Sequence, residues 1–147
     1  MARVRGPYAG RAFIADTSAW ARSNHPRVRP RFAEAAANGQ IVTCPLVNLE
    51  LLYSARDGDQ YDETSERLSR LRDVPVTRSV TNAALMAQRA LAHVRPLHHR
   101  SVNIADLLIA ACAADAAIGV LHYDEDFDRL ADVLAFESRW IAPRGSL

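Results

Sequence analysis

Apolar and polar positions along the chain follow two rhythms. Short apolar runs at Ala12 to Ala15, Ile41 to Thr43 and Val120 to Tyr123 are too brief for helices. They suit strands buried on both faces of a parallel sheet. Between them run longer stretches with helical spacing: Pro30 to Asn38, Pro45 to about Ala55, Gln60 to Leu71, Thr81 to Val94, Ile104 to Ala117 and Glu125 to Leu130. Punctuation agrees with that division. Asn38-Gly39 closes one helix, Pro45 opens the next at its first turn, Asp57-Gly58-Asp59 forms a turn, and Gly119 ends the helix before it. Val74-Pro75-Val76 reads as a short strand whose proline places it at an edge. A final strand lies within Ala135 to Ile141. Strands alternating with helices predict an α/β fold around a parallel sheet. The pattern divides into a basic, flexible lead-in over residues 1–11, with Gly6, Pro7 and Gly10, and a single domain over residues 12–147.

Charge changes this picture in one way. The chain of 147 residues carries a net charge of only +1, so as a whole it is not a basic nucleic-acid binder. The charge is uneven, however. Residues 1–40 hold seven arginines against two acids, whereas in residues 101–147 acids outnumber the three arginines. Such a split suits a protein that grips phosphates with one region and metal with another, though an unevenly charged solvated surface would look the same. All 18 basic residues are arginine. Chemistry that requires a lysine is therefore excluded.

Cys44 and Cys112 lie far apart in apolar stretches and show no metal-ligand spacing, so buried free thiols are expected. The N-terminus has no apolar run behind its charges, and the longest apolar stretch, Leu107 to Ala114, is too short to span a bilayer. A cytoplasmic protein without membrane association is the expectation.

Four acids sit in unusual places. Asp16 and Asp124 each follow an apolar strand, where open parallel sheets form their ligand crevice. Glu50 has Leu46, Val47, Tyr53 and Ser54 as its helical neighbours, which places it beside an apolar face. Asp106 lies in the first turn of an apolar helix. Each has an ordinary structural reading: a helix cap for Asp16, a stripe-margin residue for Glu50, macrodipole complementarity for Asp106 and a capping turn for Asp124. Together they can converge on one crevice, where they would raise one another's pKa unless a cation neutralised them. Such a set of oxygens suits Mg²⁺ or Mn²⁺ rather than zinc. Asp126 follows Asp124 at two-residue spacing and both roles stay open for it; Asp128 reads as part of a solvated acidic turn.

The ordered set Phe13-Ile14-Ala15-Asp16-Thr17-Ser18-Ala19, Cys44-Pro45-Leu46-Val47-Asn48-Leu49-Glu50-Leu51, Ile104-Ala105-Asp106-Leu107-Leu108-Ile109-Ala110-Ala111 and Leu121-His122-Tyr123-Asp124-Glu125-Asp126-Phe127 resembles PIN-domain proteins, and more narrowly the VapC toxins of bacterial toxin–antitoxin pairs. The resemblance covers about residues 12 to 141. It implies a three-layer α/β/α fold and an endoribonuclease that uses Mg²⁺ or Mn²⁺. It also implies a homodimer, neutralised by a small VapB-like antitoxin that inserts residues into the acidic site. By position, the metal-holding and catalytic acids are Asp16, Glu50, Asp106 and Asp124, with Asp126 as a fifth. Thr17 and Ser18 match the polar positions after the first acid, Ser18 being the better candidate to hold Asp16 or a metal-bound water. Two departures stand out. His122 occupies a position where many relatives have threonine or serine, and about eleven residues precede the first strand. These eleven are either an arm that contacts RNA or a partner, or the result of a start assigned too early.

The implied reaction is hydrolysis of an RNA phosphodiester to a 5′-phosphate and a 3′-hydroxyl. Arg22, Arg27, Arg29 and Arg31 are the candidates to hold the RNA backbone, with an ordinary exposed surface as the other reading. Trp20 is open between a stacking platform, a partner surface and core packing; His98-His99 reads as an exposed loop pair. An aspartyl-phosphate enzyme or receiver domain is disfavoured because Ser18 stands where a second aspartate is needed and the chain has no lysine. The alternative that survives is a non-catalytic PIN-like module that binds RNA or a partner. Lost acids would mark it, and none of the four is missing.

Overall fold

The computed structural model describes residues 6–147. Its centre is a five-stranded, fully parallel sheet in the order β3-β2-β1-β4-β5, formed by β1 (Phe13–Ala15), β2 (Ile41–Thr43), β3 (Arg72–Asp73), β4 (Gly119–His122) and β5 (Ser138–Trp140). The helices are α1 (Thr17–Trp20), α2 (Arg29–Ala37), α3 (Pro45–Tyr53), α4 (Gly58–Ser69), α5 (Arg78–Val94), α6 (Ile104–Asp115) and α7 (Asp126–Ala131).

The period of the strands sorts the core into two layers. Ile14, Val42 and Val120 face one side, where they pack with residues of α3, α5, α6 and α7. Phe13, Ala15, Ile41 and Leu121 face the other, against Ala19, Val28, Phe32, Ala35 and Ile141. Successive strand side chains point to opposite faces, so β1, β2 and β4 each serve both layers. The result is the α/β/α sandwich expected from the sequence.

Several boundaries differ from expectation. The expected turn at Asp57-Gly58-Asp59 is instead the start of α4, with Asp57 as its N-cap, and α5 opens at Arg78 rather than Thr81. The edge strand is Arg72–Asp73, not Val74–Val76. The amide of Val74 still donates to the Thr43 carbonyl at 2.9 Å, but Pro75 has no N–H with which to extend the ladder. The helix before β4 is not ended by Gly119. The left-handed residue is Ala117 (φ 55°); its amide reaches the Ala114 carbonyl at 3.1 Å and that of Ile118 reaches Ala113 at 3.0 Å, a Schellman closure. Gly119 is needed for another reason. A Cβ there would stand 2.6 Å from the Phe13 ring and 2.7 Å from the Glu137 carbonyl oxygen, so only glycine lets β4 lie against Phe13.

Residues 1–5 of the expected lead-in lie outside the described residues. Residues 6–10 form turns, and Tyr8 is buried edge-on against Phe13 at 5.2 Å between ring centroids. Among the described residues no helix is long and apolar enough to cross a membrane. Cys44 and Cys112 are buried and free.

Candidate active site

Backbone pairing sets the first acid. The Asp16 amide donates to the Leu121 carbonyl at 2.9 Å, which fixes the residue where β1 ends beside β4. Its backbone is extended and it caps α1: Oδ2 accepts the Ser18 amide at 3.0 Å and the Ser18 hydroxyl at 2.6 Å. The same hydroxyl oxygen accepts the Tyr123 amide at 2.9 Å. Ser18 thus ties the end of β1 to the segment that carries Asp124. Asp16 is only 2 % exposed, and its Oδ1 is buried without a hydrogen-bond partner.

Glu50 projects from α3, which opens at Pro45 and packs against α1 and α6. Its Oε2 accepts the Thr17 hydroxyl at 3.0 Å. Its Oε1, like Oδ1 of Asp16, is buried without a partner. Asp106 stands in the first turn of α6, whose N-cap Asn103 accepts the Ala105 amide at 2.7 Å. Asn103 fills the cap, and Asp106 stays in the first turn, where its charge complements the helix dipole.

These elements bring one carboxylate oxygen each of Asp106, Asp124 and Asp126 within 4.8 Å of one another. Asp16 and Glu50 lie outside that tight trio but act on it. Burial first, and then the charges of Asp16, Asp124, Glu50 and Asp126, push the Asp106 carboxyl up to about 8. Burial also raises Asp16, against the lowering effect of its Ser18 hydrogen bonds, and the charge of Asp124 adds to the rise. Asp126 is raised by burial and by Asp124, with Arg129 pulling the other way. Crowded carboxylates with unsatisfied buried oxygens are the environment in which a divalent cation replaces missing counter-charge. All donors are hard oxygens, which fits Mg²⁺ or Mn²⁺.

His122, which departs from the expected hydroxyl, is completely buried. Its Nδ1 accepts the Asp124 amide at 3.1 Å, so the ring does for that amide what a hydroxyl could do. Burial lowers its pKa to about 4, against Asp128 and Asp124, and keeps it neutral at pH 7. Asp124 Oδ1 in turn accepts the Asp126 amide at 3.0 Å. Asp128 stays outside the cluster, and it is not merely solvated. It accepts the Ser138 hydroxyl at 2.6 Å and the Trp140 indole N–H at 3.0 Å. No sequence signal pointed to this contact, because it depends on the β4–β5 register that sets His122 opposite Trp140.

The four arginines separate. Arg22 stands beside the site: it donates to the Ser18 carbonyl at 3.0 Å and its guanidinium lies 4.1 Å from the Tyr123 ring centroid. Arg27 reaches the Ser146 carbonyl at 3.3 Å and Arg31 the Pro7 carbonyl at 3.3 Å, while Arg29 is exposed at the start of α2. Trp20 packs edge-on against Phe32 at 5.0 Å and also lines a groove of about 570 Å³ with Thr17, Leu51, Gln60, Arg67 and Leu71. His98 and His99 are half-buried in a 3-10 turn rather than on an exposed loop.

Comparison with known proteins supplies independent findings. The sequence model of the PIN domain matches residues 13–133. Ribonuclease VapC18 of Mycobacterium tuberculosis (strain ATCC 25618 / H37Rv) is 45 % identical over 135 residues, covering 92 % of this chain and 98 % of that protein. Ribonuclease VapC51 of the same strain is 35 % identical, covering 92 % and 96 %. Among solved structures, that of VapBC-5 from Mycobacterium tuberculosis, a member of the VapBC toxin–antitoxin family, superposes with a TM-score of 0.64 at 24 % identity over 88 % of this chain and 98 % of that one. The DNA-bound VapBC of Salmonella typhimurium gives 0.66 at 18 % identity over 87 % and 98 %.

Proposed function

The chain belongs to the PIN-domain family, and from that premise we propose that it is a metal-dependent endoribonuclease of the VapC type, the toxin of a toxin–antitoxin pair. The observation that carries the reading is the acid crevice. Three carboxylate oxygens lie within 4.8 Å, and two further acids nearby each keep a buried oxygen without a partner. Names carried by full-length relatives support the same activity.

Asp106, Asp124 and Asp126 would hold Mg²⁺ or Mn²⁺, with Asp16 and Glu50 completing the shell. A divalent ion bound there supplies acidification of water and charge stabilisation on the scissile phosphate. The chain's own residues do the rest. Ser18 holds Asp16 and Thr17 holds Glu50, each leaving the second carboxylate oxygen buried without a hydrogen-bond partner. Asp106, crowded by four other carboxylates so that its pKa stands near 8 without metal, would give up its proton as the ion binds. Arg22 stands beside the acids as a contact for the RNA backbone.

A VapB-like antitoxin is the expected inhibitor, since a cationic side chain placed among these acids would take the metal's place. A homodimer is supported by exposed Leu85 (64 %) on α5 and Ile104 (69 %) on α6, which line one groove with Leu107 and Leu108 and offer an apolar surface to a second copy.

Cleavage of a defined RNA in Mg²⁺ or Mn²⁺ tests the reading. We expect EDTA to abolish cleavage, added metal to restore it, and Asp16→Asn to remove it in both conditions. Equal cleavage with EDTA, or by the Asp16→Asn protein, defeats the site.

A further inference from the structure

Asp124 is the one acid of the crevice whose backbone is held by a buried aromatic side chain. An amide can only donate, so the 3.1 Å contact from the Asp124 N–H fixes Nδ1 of His122 as the unprotonated ring nitrogen. Nε2 therefore carries the proton and faces the Ser138 hydroxyl oxygen at 2.7 Å. That hydroxyl must accept from His122, which leaves its own proton for Asp128 Oδ1 at 2.6 Å. Asp128 Oδ2 takes the Trp140 indole N–H at 3.0 Å. Every proton in the chain has one direction, running from the Asp124 amide through His122 and Ser138 to Asp128. The ring is also caged by Phe127, 5.0 Å away and tilted 31°, and by the edge contact of Trp140 at 5.1 Å. It can neither flip nor withdraw without breaking the core of β4, β5 and α7.

We propose that His122, oriented by Ser138 and Asp128, is a positioning residue that locks the Asp124 backbone and so sets where its carboxylate stands in the crevice. The inference rests on the nuclease reading for its functional consequence, but the lock is a property of the fold. Asp124 Oδ1 continues the line by accepting the Asp126 amide at 3.0 Å. Loosening His122 therefore disturbs two of the three clustered acids together. Residues that orient metal ligands from behind typically change affinity or activity by about 10- to 100-fold when lost.

Two variants separate positioning from packing. His122→Phe keeps a flat ring between Phe127 and Trp140 but offers Asp124 no acceptor. His122→Asn loses the ring but returns an acceptor oxygen near Nδ1. Amide hydrogen exchange at Asp124 reads the lock directly, and Mn²⁺ affinity reads its consequence. Melting curves establish that both variants are folded. We expect His122→Phe to lose Asp124 amide protection and roughly 10-fold or more in Mn²⁺ affinity, and His122→Asn to recover part of both. Ser138→Ala should weaken both in the same direction by less. Unchanged Asp124 exchange in His122→Phe, or equal losses in the two variants, overturns the lock. Should the wild-type protein fail to bind Mn²⁺, the metal reading falls and the exchange measurement alone decides the lock.

Discussion

The acids of the crevice and the acids along α7 and β5 carry the same carboxyl group in opposite company. On the outer side Glu125, Glu137 and Asp128 each have an answer. Glu125 pairs with Arg129 at 3.1 Å and with Arg144, and Glu137 with Arg11 at 2.7 Å and Arg139 at 3.0 Å. Asp128 is satisfied by Ser138 and Trp140. On the inner side, Asp16 and Glu50 each keep a bare buried oxygen, and Asp106 feels four other carboxylates. Arginine is plentiful in this chain, yet it is spent on the outer set. The contrast teaches that the crevice is not a structural ion-pair network; its counter-charge has to come from outside. Asp126 is the exception, shared between Arg129 and the inner trio.

The largest effect should come from neutralising the most crowded inner acid. Asp106→Asn is expected to lower RNA cleavage by roughly a hundred- to ten-thousand-fold. The same change should raise stability at pH 8, because an uncharged amide removes the repulsion. Glu125→Gln, on the outer side, should cost cleavage little and stability no more than about 1 kcal/mol. Cleavage assays and thermal melts check all three, and an Asp106→Asn protein that melts lower than wild type at pH 8 would break the comparison.

A pH series gives the next effect. The Asp106 pKa rises from an ordinary 3.8 to about 8 on folding. Between those values the folded protein holds a proton that the unfolded chain releases. Stability contributed by this group is therefore fully present below about pH 4 and lost as pH climbs through about 8. The change amounts to a few kcal/mol, discounted for the group's partial exposure, with each worth about 2–4 °C of melting temperature in a chain of this size. Other acids act in the opposite sense at low pH, so the signature is the difference between wild type and Asp106→Asn. Mn²⁺ binding must expel the same proton, so affinity should strengthen as pH rises toward 8. A flat affinity between pH 6 and 8 (measured by titration) would show that Asp106 does not face the ion.

Some of this was legible in the sequence for reasons that can be named. Asp16 and Asp124 follow short apolar runs, and strand ends of a parallel sheet have one place to go. Asp106 and Glu50 interrupt apolar helices, which signals an inward carboxylate whatever the fold. The edge strand is less legible, because Val74 and Val76 look like strand residues, whereas the ladder depends on backbone N–H groups that Pro75 lacks. Thr17's hold on Glu50 joins residues 33 positions apart. His122 is harder still, since its partners depend on the β4–β5 register, which no local pattern encodes. By contrast, the Arg129–Asp126 pair is an i,i+3 contact on one short helix and lies within reach of sequence reasoning.

That last pair offers the smallest and most discriminating test of the contrast. Asp126 contributes to the trio while Arg129 holds its Oδ1 and Glu125 at once. The pair is partly exposed, so removing it should shift stability by no more than about 1 kcal/mol. Its effect on the crevice has the opposite sign from every acid substitution. Arg129→Ala withdraws the only guanidinium that bonds to a member of the trio among the described residues. Asp126 then becomes another carboxylate without an answer, and Mn²⁺ should bind a few-fold more tightly in compensation. Weaker binding in Arg129→Ala would mean that the arginine orients Asp126 for the ion rather than competing with it, and the contrast between paired and unpaired acids would fail at Asp126.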